Sequence, residues 1–518
     1  MSNDTAEPMK SCLRQVGLAF RRGCLGLLCA ALLVPPLGHA QLPSLGDGSE
    51  MSASAERKLG DRIARELYRD PDYIDDPVLV EYVQATWQPL LAAAKLRGEL
   101  GAEIEQRFAW EIFLGKDRSI NAFALPGGYF GLHLGLVAVV SNRDELASVL
   151  AHELSHVTQR HISRLMTQSN RQAPWMIGAM ILGAIAASKN PDAANAMIAG
   201  GQALALQNQL NFSRDMEREA DRVGYGVMSQ AGFEPLGFVT MFDKLQQASR
   251  LNDNGSFPYL RSHPMTTERM ADMQARQQLA GRPAGPVAAT LEHAMVTARA
   301  RVLSQAAVDA LRARVAEAQA ASLAQQGPAR QVPTLYAAAL ASLKLRDAAQ
   351  AERFALALRP LVQGEAAAAR LARLLLAEIA LDSGDAARAS TLVSLTDEGR
   401  ADVLLGAQAA VRSGRADAAA QRLQTWVTVH PRDATAWQML AQAYGAQGRG
   451  LRAIRAEAEA QMAWLDYAAA MDRLKAAQEM ARRMARDGTL GGEHIEASII
   501  DTRARQVESL LREQALER

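Results

Sequence analysis

The sequence predicts an α+β domain, mostly helical with a small sheet, followed by an all-α superhelix of tetratricopeptide repeats. A chain of 518 residues is too long for a single hydrophobic core. A Gly- and Pro-rich stretch at 281–286 separates a mixed composition from an alanine-rich, helical one. The alanine-rich part carries glycines at a repeating distance. We therefore expect a first domain at 41–280, a repeat domain at 287–487 and a helical tail at 488–518.

The first forty residues have the composition of a signal peptide. Four basic residues precede an apolar run at 24–34, and small residues at 38–40 fit the positions that a signal peptidase reads. The apolar run is short for a membrane span, so a retained anchor is the weaker alternative. Met9 is a second candidate for the start, because it brings the basic residues closer to the terminus. We expect residues 1–40 to be removed on secretion.

Charge and cysteine content exclude several classes of protein. The formal net charge of the chain is +1, and without residues 1–40 it has 53 basic against 54 acidic residues. We therefore expect no nucleic-acid partner. All three cysteines (Cys12, Cys24 and Cys29) lie in the predicted signal peptide. The mature chain would then have neither a disulfide nor a thiolate metal ligand.

Two apolar and aromatic stretches, 108–113 and 128–140, flank a turn at 126–128 and predict strands. A strand beside the helix that follows would have a free backbone edge, and such an edge can hold an extended peptide by sheet addition. The alternative is that the glycines only turn a hairpin. The sequence thus predicts a peptide or protein substrate. The predicted substrate-binding residues are Gly127, Gly128, Tyr129 and Phe130.

A zinc-binding pattern lies on the next helix. The pentapeptide His152-Glu153-Leu154-Ser155-His156 stands in a stretch with helical periodicity, where positions i and i+4 share a face. His152 and His156 can therefore bind one zinc ion, and Glu153 lies beside it, where a carboxylate can take a proton from water. The alternative is a helix with two surface histidines.

An apolar segment at 174–187 follows the zinc helix. Its fourteen residues fall short of the roughly 20 that a helix needs to cross a bilayer. With 195–206 it predicts a helical hairpin that covers the active-site cleft or touches a membrane surface. A buried core helix is the alternative.

A third zinc ligand is expected from the helical stretch 213–224. Glu217 and Asp221 are four residues apart, so one carboxylate can bind the metal while the other orients a ligating histidine. Glu219 is the main rival, although it lies off that face. A solvated helix with Arg–Glu pairs is the alternative reading of the stretch.

The motif at 152–156, followed by Glu217-Arg218-Glu219-Ala220-Asp221, resembles the gluzincin metallopeptidase family that contains the CAAX prenyl protease and HtpX. The resemblance implies a zincin-like fold and one zinc ion per chain. It also implies that Glu217 is the third ligand and that Asp221 supports the site from behind. Unlike HtpX, this chain shows no convincing membrane span.

Two further segments match the same family. Residues 121–129 look like its strand and turn upstream of the zinc helix, and Ser262-His263-Pro264 with Arg269 looks like its downstream element. The resemblance places His263 and Arg269 in the active site. Either side chain would donate to the developing oxyanion, or His263 would bind zinc in a resting state.

The alanine-rich half has the period of tetratricopeptide repeats. Gly414 and Gly448 are 34 residues apart, and Pro431 stands where a repeat would end. The segments 384–385 and 348–360 look like degenerate copies. Arrays of this kind bind proteins along stacked helices. An unrelated helical bundle is the alternative.

The remaining histidines carry weaker predictions. His161 is five residues past His156, which on a continuous helix places it about 140° round the axis. We therefore expect an exposed or core histidine without a role in the site. His133 is expected to be structural, with the cleft as the alternative, and His293, His430 and His494 look incidental.

The resemblance extends to a periplasmic subgroup with a C-terminal repeat domain. It implies a zinc metalloendopeptidase that degrades misassembled outer-membrane proteins, helps their assembly and works in the periplasm, at or near the outer membrane. Its partners would be peptide substrates and, through the repeats, outer-membrane proteins and their assembly machinery. The rival hypothesis is a periplasmic chaperone or scaffold with a structural zinc site.

Overall fold

The computed structural model describes residues 51–168, 214–251, 258–279 and 289–516. The predicted signal peptide at 1–40, the apolar hairpin at 174–187 and 195–206 and the linker at 281–286 lie outside these residues. In the described part, no helix is both long and apolar enough to cross a membrane.

The first half of the described chain combines ten helices with three short strands. They are α1 (Ala53–Arg69), α2 (Pro77–Leu96), α3 (Ala102–Arg107), β1 (Glu111–Gly115), β2 (Ala122–Leu125), β3 (Tyr129–His133), α4 (Leu134–Val139), α5 (Arg143–Thr158), α6 (His161–Gln168), α7 (Arg214–Gln230), α8 (Leu236–Leu251), α9 (Pro258–Ser262) and α10 (Thr267–Leu279).

The second half is helical throughout its described residues. It comprises α11 (Leu291–Ser304), α12 (Val308–Gln319), α13 (Pro328–Lys344), α14 (Ala348–Leu358), α15 (Ala366–Asp382), α16 (Ala386–Leu392), α17 (Arg400–Arg412), α18 (Ala416–Val429), α19 (Ala434–Ala446), α20 (Gly450–Ala463), α21 (Tyr467–Arg486) and α22 (His494–Leu516).

The sheet has the order β1-β3-β2, with β3 parallel to β1 and antiparallel to β2. The second predicted strand was too long, because 134–139 forms helix α4 rather than a continuation of β3. The apolar run does not distinguish the two structures, since every residue from Tyr129 to Ala138 is buried. The first predicted strand lies at 111–115 instead of 108–113.

The two faces of the sheet pack on different helices. Phe130 lies against Trp87 of α2, with ring centroids 4.6 Å apart, in the core that also contains α5. Tyr129 points the opposite way and packs with Leu59 and Ile63 of α1. The helix that carries the two predicted zinc histidines therefore packs in the core on one side of the sheet and contacts β2.

Consecutive helices of the second half pack on one another from α17 to α22. The predicted glycine turns fall between paired helices, and Gly384, Gly414 and Gly448 all adopt positive φ angles of 86°, 77° and 72°. The corresponding turn before α14 has Arg346 at φ 64°. The first copy of the repeat therefore lacks the turn glycine that marks the later copies in the sequence.

The hydrophobic core does not divide at the predicted linker. One cluster of buried side chains runs from Ala53 through the zinc helix to Ala409 of α17. Buried ion pairs cross the same junction. Arg299 of α11 contacts Asp76 at the start of α2 at 2.7 Å and Glu378 of α15 at 3.0 Å. The described residues after 288 thus share a core with the part that precedes them.

Candidate metal centre

Helix α5 presents the histidines of the zinc-binding pattern from a buried position. Asn142 caps the helix by accepting from the backbone N–H of Glu145 at 2.9 Å. His152 and His156 are 1% and 0% exposed, and their Nε2 atoms lie 3.0 Å apart. The prediction that both imidazoles share one face is confirmed by this distance.

Helix α7 crosses α5 at close range and supplies the carboxylates. A Cβ atom at Gly224 would lie 3.1 Å from the Ala151 backbone, so only glycine allows this approach without a shift. One of the Glu217 oxygens lies 3.6 Å from His152 Nε2 and the other 3.5 Å from His156 Nε2. The rival carboxylate, Glu219, points away from this cluster.

His263 completes a group of four donors. One ligand atom from each of His152, His156, Glu217 and His263 lies within 4.8 Å of the others, and all four residues are buried. His263 Nδ1 is 3.0 Å from Glu217 Oε1, and its Nε2 is 3.4 Å from Glu153 Oε1. The imidazole therefore lies between the predicted base and the predicted ligands.

Asp221 and Arg269 support the cluster from behind. Asp221 Oδ1 lies 2.9 Å from His152 Nδ1, which leaves Nε2 of that histidine for a metal. Arg269 donates to both oxygens of Asp221, at 2.6 and 2.8 Å, and to the Pro264 carbonyl at 2.9 Å. It also contacts Glu217 at 2.7 Å.

These contacts correct the expectation for Arg269. Its guanidinium is 2% exposed, and its donors are occupied by Asp221, Glu217 and a backbone carbonyl. A donor to a substrate oxyanion has to point into the cleft with a free N–H. Arg269 instead orients the two carboxylates of α7.

Burial and charge act in opposite directions on the ionisation of the cluster. Burial disfavours the His152 imidazolium, but Asp221 and Glu217 outweigh it and raise the pKa of His152 to about 9. Burial and the neighbouring His152 hold the pKa of His156 well below its usual value. Burial opposes ionisation of Glu217, yet His263 and His152 keep its pKa well below the ordinary range.

His161 lies next to the cluster, a position that the sequence did not reveal. The expectation of an exposed or core histidine is met, since His161 is buried, but its place beside His156 was not expected, because α5 ends at Thr158 and Arg160 adopts a positive φ of 56°. This reversal returns His161 toward the site, fully buried, with its Nδ1 2.9 Å from His156 Nδ1. The angle of 140° applied only to an unbroken helix. The sequence signal for this position was a third histidine five residues after His156.

The residues predicted to bind substrate lie in the core. Tyr129 and Phe130 are both 1% exposed on β3, whose two backbone edges are paired with β1 and β2. The turn at 126–128 contacts α1, where a Cβ on Gly127 would lie 2.8 Å from Arg57 Cα. The prediction of substrate contacts at Gly127, Gly128, Tyr129 and Phe130 therefore does not fit the structure.

The edge of the sheet that lies next to α5 belongs to β2. This strand packs against the zinc helix and pairs with β3 on one side, and no described strand pairs with its other side. His133 ends β3 on the same face as Tyr129, hydrogen-bonded to Ser119 at 2.9 Å. It is structural, as expected, and His293 is likewise held by Tyr82 at 2.6 Å.

The donor set fits a zinc ion. Two imidazoles and a carboxylate are the protein ligands of many catalytic zinc sites. The fit has a second observation behind it, since Glu153 is 1% exposed and neither of its carboxylate oxygens makes a hydrogen bond to a described residue. A buried carboxylate is stabilised by a hydrogen-bonding partner, and a water molecule bound at the ligand cluster would supply one.

Comparison with known proteins gives consistent matches. Residues 81–277 match the family described as Peptidase family M48. A putative beta-barrel assembly-enhancing protease from Vibrio cholerae serotype O1 is 34% identical over 293 residues, 55% of this chain and 58% of the relative. The beta-barrel assembly-enhancing protease of Escherichia coli K12 is 32% identical over 268 residues, 49% of this chain and 52% of the relative.

A more distant relative is the mitochondrial metalloendopeptidase OMA1 of Arabidopsis thaliana, 28% identical over 241 residues, 45% of this chain and 44% of the relative. The chain thus spans about half the length of the curated relatives that it matches.

Proposed function

We propose, from the match of residues 81–277 to peptidase family M48, that the protein is a zinc-dependent metalloendopeptidase. His152, His156 and Glu217 would hold one zinc ion. The observation that carries the proposal is the Glu153 carboxylate, buried beside these ligands without a hydrogen bond to a described residue. A structural zinc site would have no use for such a group, which weighs against the rival hypothesis of a scaffold.

The chemistry follows from where Glu153 lies. When bound, zinc would polarise the scissile carbonyl and make a water molecule more acidic. Glu153 takes a proton from the attacking water as the water oxygen bonds to the carbonyl carbon. The same carboxyl then gives that proton to the amine nitrogen as the C–N bond breaks. Asp221 and Arg269 hold His152 and Glu217 in place throughout.

We propose that His263 restrains this activity. Its imidazole contacts Glu153 on one side and Glu217 on the other, at 3.4 and 3.0 Å. It therefore fills the space that an attacking water would need between the base and the ligands. Hydrolysis requires the 262–264 segment to move first, whether a client or a partner triggers the movement.

An extended peptide substrate would bind along β2. The strand Ala122–Leu125 is the outer strand of the sheet and packs against α5. The backbone N–H and C=O groups on its outer edge can form hydrogen bonds with the backbone of a peptide, and these bonds do not depend on the peptide's side chains. Such binding suits a protease that selects unfolded segments over a fixed sequence.

The helical second half would act as the client platform. We propose that the helices within 287–487 form a tetratricopeptide-repeat superhelix, supported by the glycine turns at 384, 414 and 448. The names of the curated relatives point to outer-membrane β-barrel proteins as clients. Residues 1–40 would direct the chain to the periplasm, where it degrades misassembled clients and assists assembly, and residues 174–187 would touch a membrane surface.

Removal and return of the metal test the proposal. Purified protein and an unfolded β-barrel outer-membrane protein are incubated before chelation, after chelation and after addition of one equivalent of zinc. We expect hydrolysis to disappear on chelation and to return with zinc, while binding of the client persists without it. If the His263→Ala protein, fully loaded with zinc, binds the client but does not hydrolyse it, the result would favour the rival hypothesis of a scaffold with a structural zinc site.

A further inference from the structure

A line of polar side chains leads away from His156 on the side opposite to its predicted ligand atom. His156 Nε2 faces the cluster, and its Nδ1 lies 2.9 Å from Nδ1 of His161. His161 Nε2 lies 3.1 Å from Glu219 Oε2, which also accepts from Arg164 at 2.9 Å. The line begins at a candidate ligand and ends at a carboxylate near the surface.

The direction of the hydrogen bonds is fixed by the metal. A histidine that binds zinc through Nε2 keeps its proton on Nδ1. His156 therefore donates from Nδ1, and His161 has to accept at its own Nδ1. A neutral His161 then carries its proton on Nε2, from which it donates to Glu219. Every donor in this line has an acceptor.

The other zinc histidine has a shorter version of the same support. His152 Nδ1 lies 2.9 Å from Asp221, and Arg269 holds that carboxylate on its far side. In the longer line Glu219 takes the place of Asp221, and His161 is inserted between histidine and carboxylate. Both carboxylates belong to α7, two residues apart, so one helix would orient both ligating histidines.

We propose that His161 is a positioning residue for zinc, through which Glu219 orients and polarises His156. The inference rests on the zinc site proposed above. It also accounts for the position of Glu219, which lies off the metal face and contacts His161 and Arg164 of α6. Glu219 would act on the metal indirectly, through His161, and it is not one of the four grouped donors.

The competing explanation is that these contacts only tie α6 to α7. Arg164 separates the two explanations, because it is on α6, contacts Glu219 and has no contact with His156. Arg164→Gln removes the ion pair between the helices but leaves the bond from His161 to Glu219. Glu219→Gln removes the carboxylate that terminates the line.

The test is the zinc dissociation constant, measured by competition with a chromophoric chelator, for full-length variants whose folding is checked by circular dichroism. His161→Phe keeps the ring volume and removes both nitrogens, and we expect it to weaken zinc binding about 10–100-fold. Glu219→Gln should act in the same direction, and Arg164→Gln should stay close to wild type. In the double variant His161→Phe/Glu219→Gln, the loss should equal that of His161→Phe alone.

A second readout is the visible spectrum of the cobalt-substituted protein, which reports the ligand field directly. It should change in His161→Phe and Glu219→Gln and return toward wild type in His161→Gln, whose amide can both accept and donate. Wild-type zinc affinity in a folded His161→Phe or Glu219→Gln protein would overturn the proposal. So would equal losses in Arg164→Gln and Glu219→Gln. Failure of the wild-type protein to bind zinc would instead overturn the proposed function.

Discussion

Arg299 joins the first half of the described chain to the helical half, and its removal gives the strongest test of the shared core. The guanidinium is 4% exposed and donates to both oxygens of Asp76 at 2.7–2.9 Å. It also contacts Glu378 and the Tyr336 hydroxyl. Arg299→Ala would leave two carboxylates facing each other in a buried site. Breaking one side of a buried ion pair costs about 3–5 kcal/mol.

A matched control is available in the second half. Arg346 makes a single ion pair with Asp382 at 3.0 Å, and its side chain is 82% exposed. Arg346→Ala should therefore cost no more than about 1 kcal/mol. Urea unfolding is followed by circular dichroism, which reports the helices, and by zinc release to a chromophoric chelator, which reports the metal centre.

We expect Arg299→Ala to shift both transitions together to lower urea, because the two halves share one core. A shift no larger than that of Arg346→Ala would refute the expected cost of about 3–5 kcal/mol. A shift in the helical signal with zinc release unchanged would refute the shared core, since the metal centre would then unfold on its own.

Three further predictions concern the metal centre. Glu217→Ala should weaken zinc binding by more than about a hundredfold, because it removes a ligand. Glu219→Ala should weaken it only about 10–100-fold, because Glu219 acts through His161. Equal zinc occupancy in the two variants, at matched folding, would refute the choice of Glu217 as the ligand. His263→Ala should raise the basal hydrolysis of a fluorogenic peptide without adding zinc, whereas a fall of roughly a hundredfold would make His263 an oxyanion donor. In the metal-free protein His152 has a pKa of about 9, raised from 6.5, and so it holds a proton that zinc must displace. Zinc affinity should then rise about tenfold per pH unit from pH 6.5 toward 9 in metal-buffered titrations, and a slope of zero would show that no proton is displaced.

The sequence predicted that His152, His156 and Glu217 would lie together, because their positions obey local rules. His152 and His156 follow from helical spacing, and Glu217 from a motif on a second helix. His161 could not be placed, because its position depends on the left-handed Arg160 that ends α5. That conformation is held by contacts with Glu56 and Met51, more than 100 residues earlier in the chain.

The sheet and the domain boundary show a different limit. The apolar run after the turn at 126–128 is buried on all sides, so its pattern could not show where β3 ends and α4 begins. Composition marked a linker at 281–286, but it carries no information on which surfaces pack together. The packing of α11 on α4 and α2 depends on tertiary contacts, which composition does not report. The same applies to Arg269, whose role depends on the two carboxylates of α7 that surround it.

The central claim is that Glu153 is the base of a zinc peptidase, and the most direct measurement pairs metal content with hydrolysis in Glu153→Gln. The substitution keeps the size of the side chain and leaves His152, His156 and Glu217 untouched. We expect one zinc per chain, wild-type unfolding by urea and a loss of peptide hydrolysis of about 10²–10⁴-fold, measured in the His263→Ala background as well, where basal activity is higher. Wild-type hydrolysis by fully zinc-loaded Glu153→Gln protein would contradict the account.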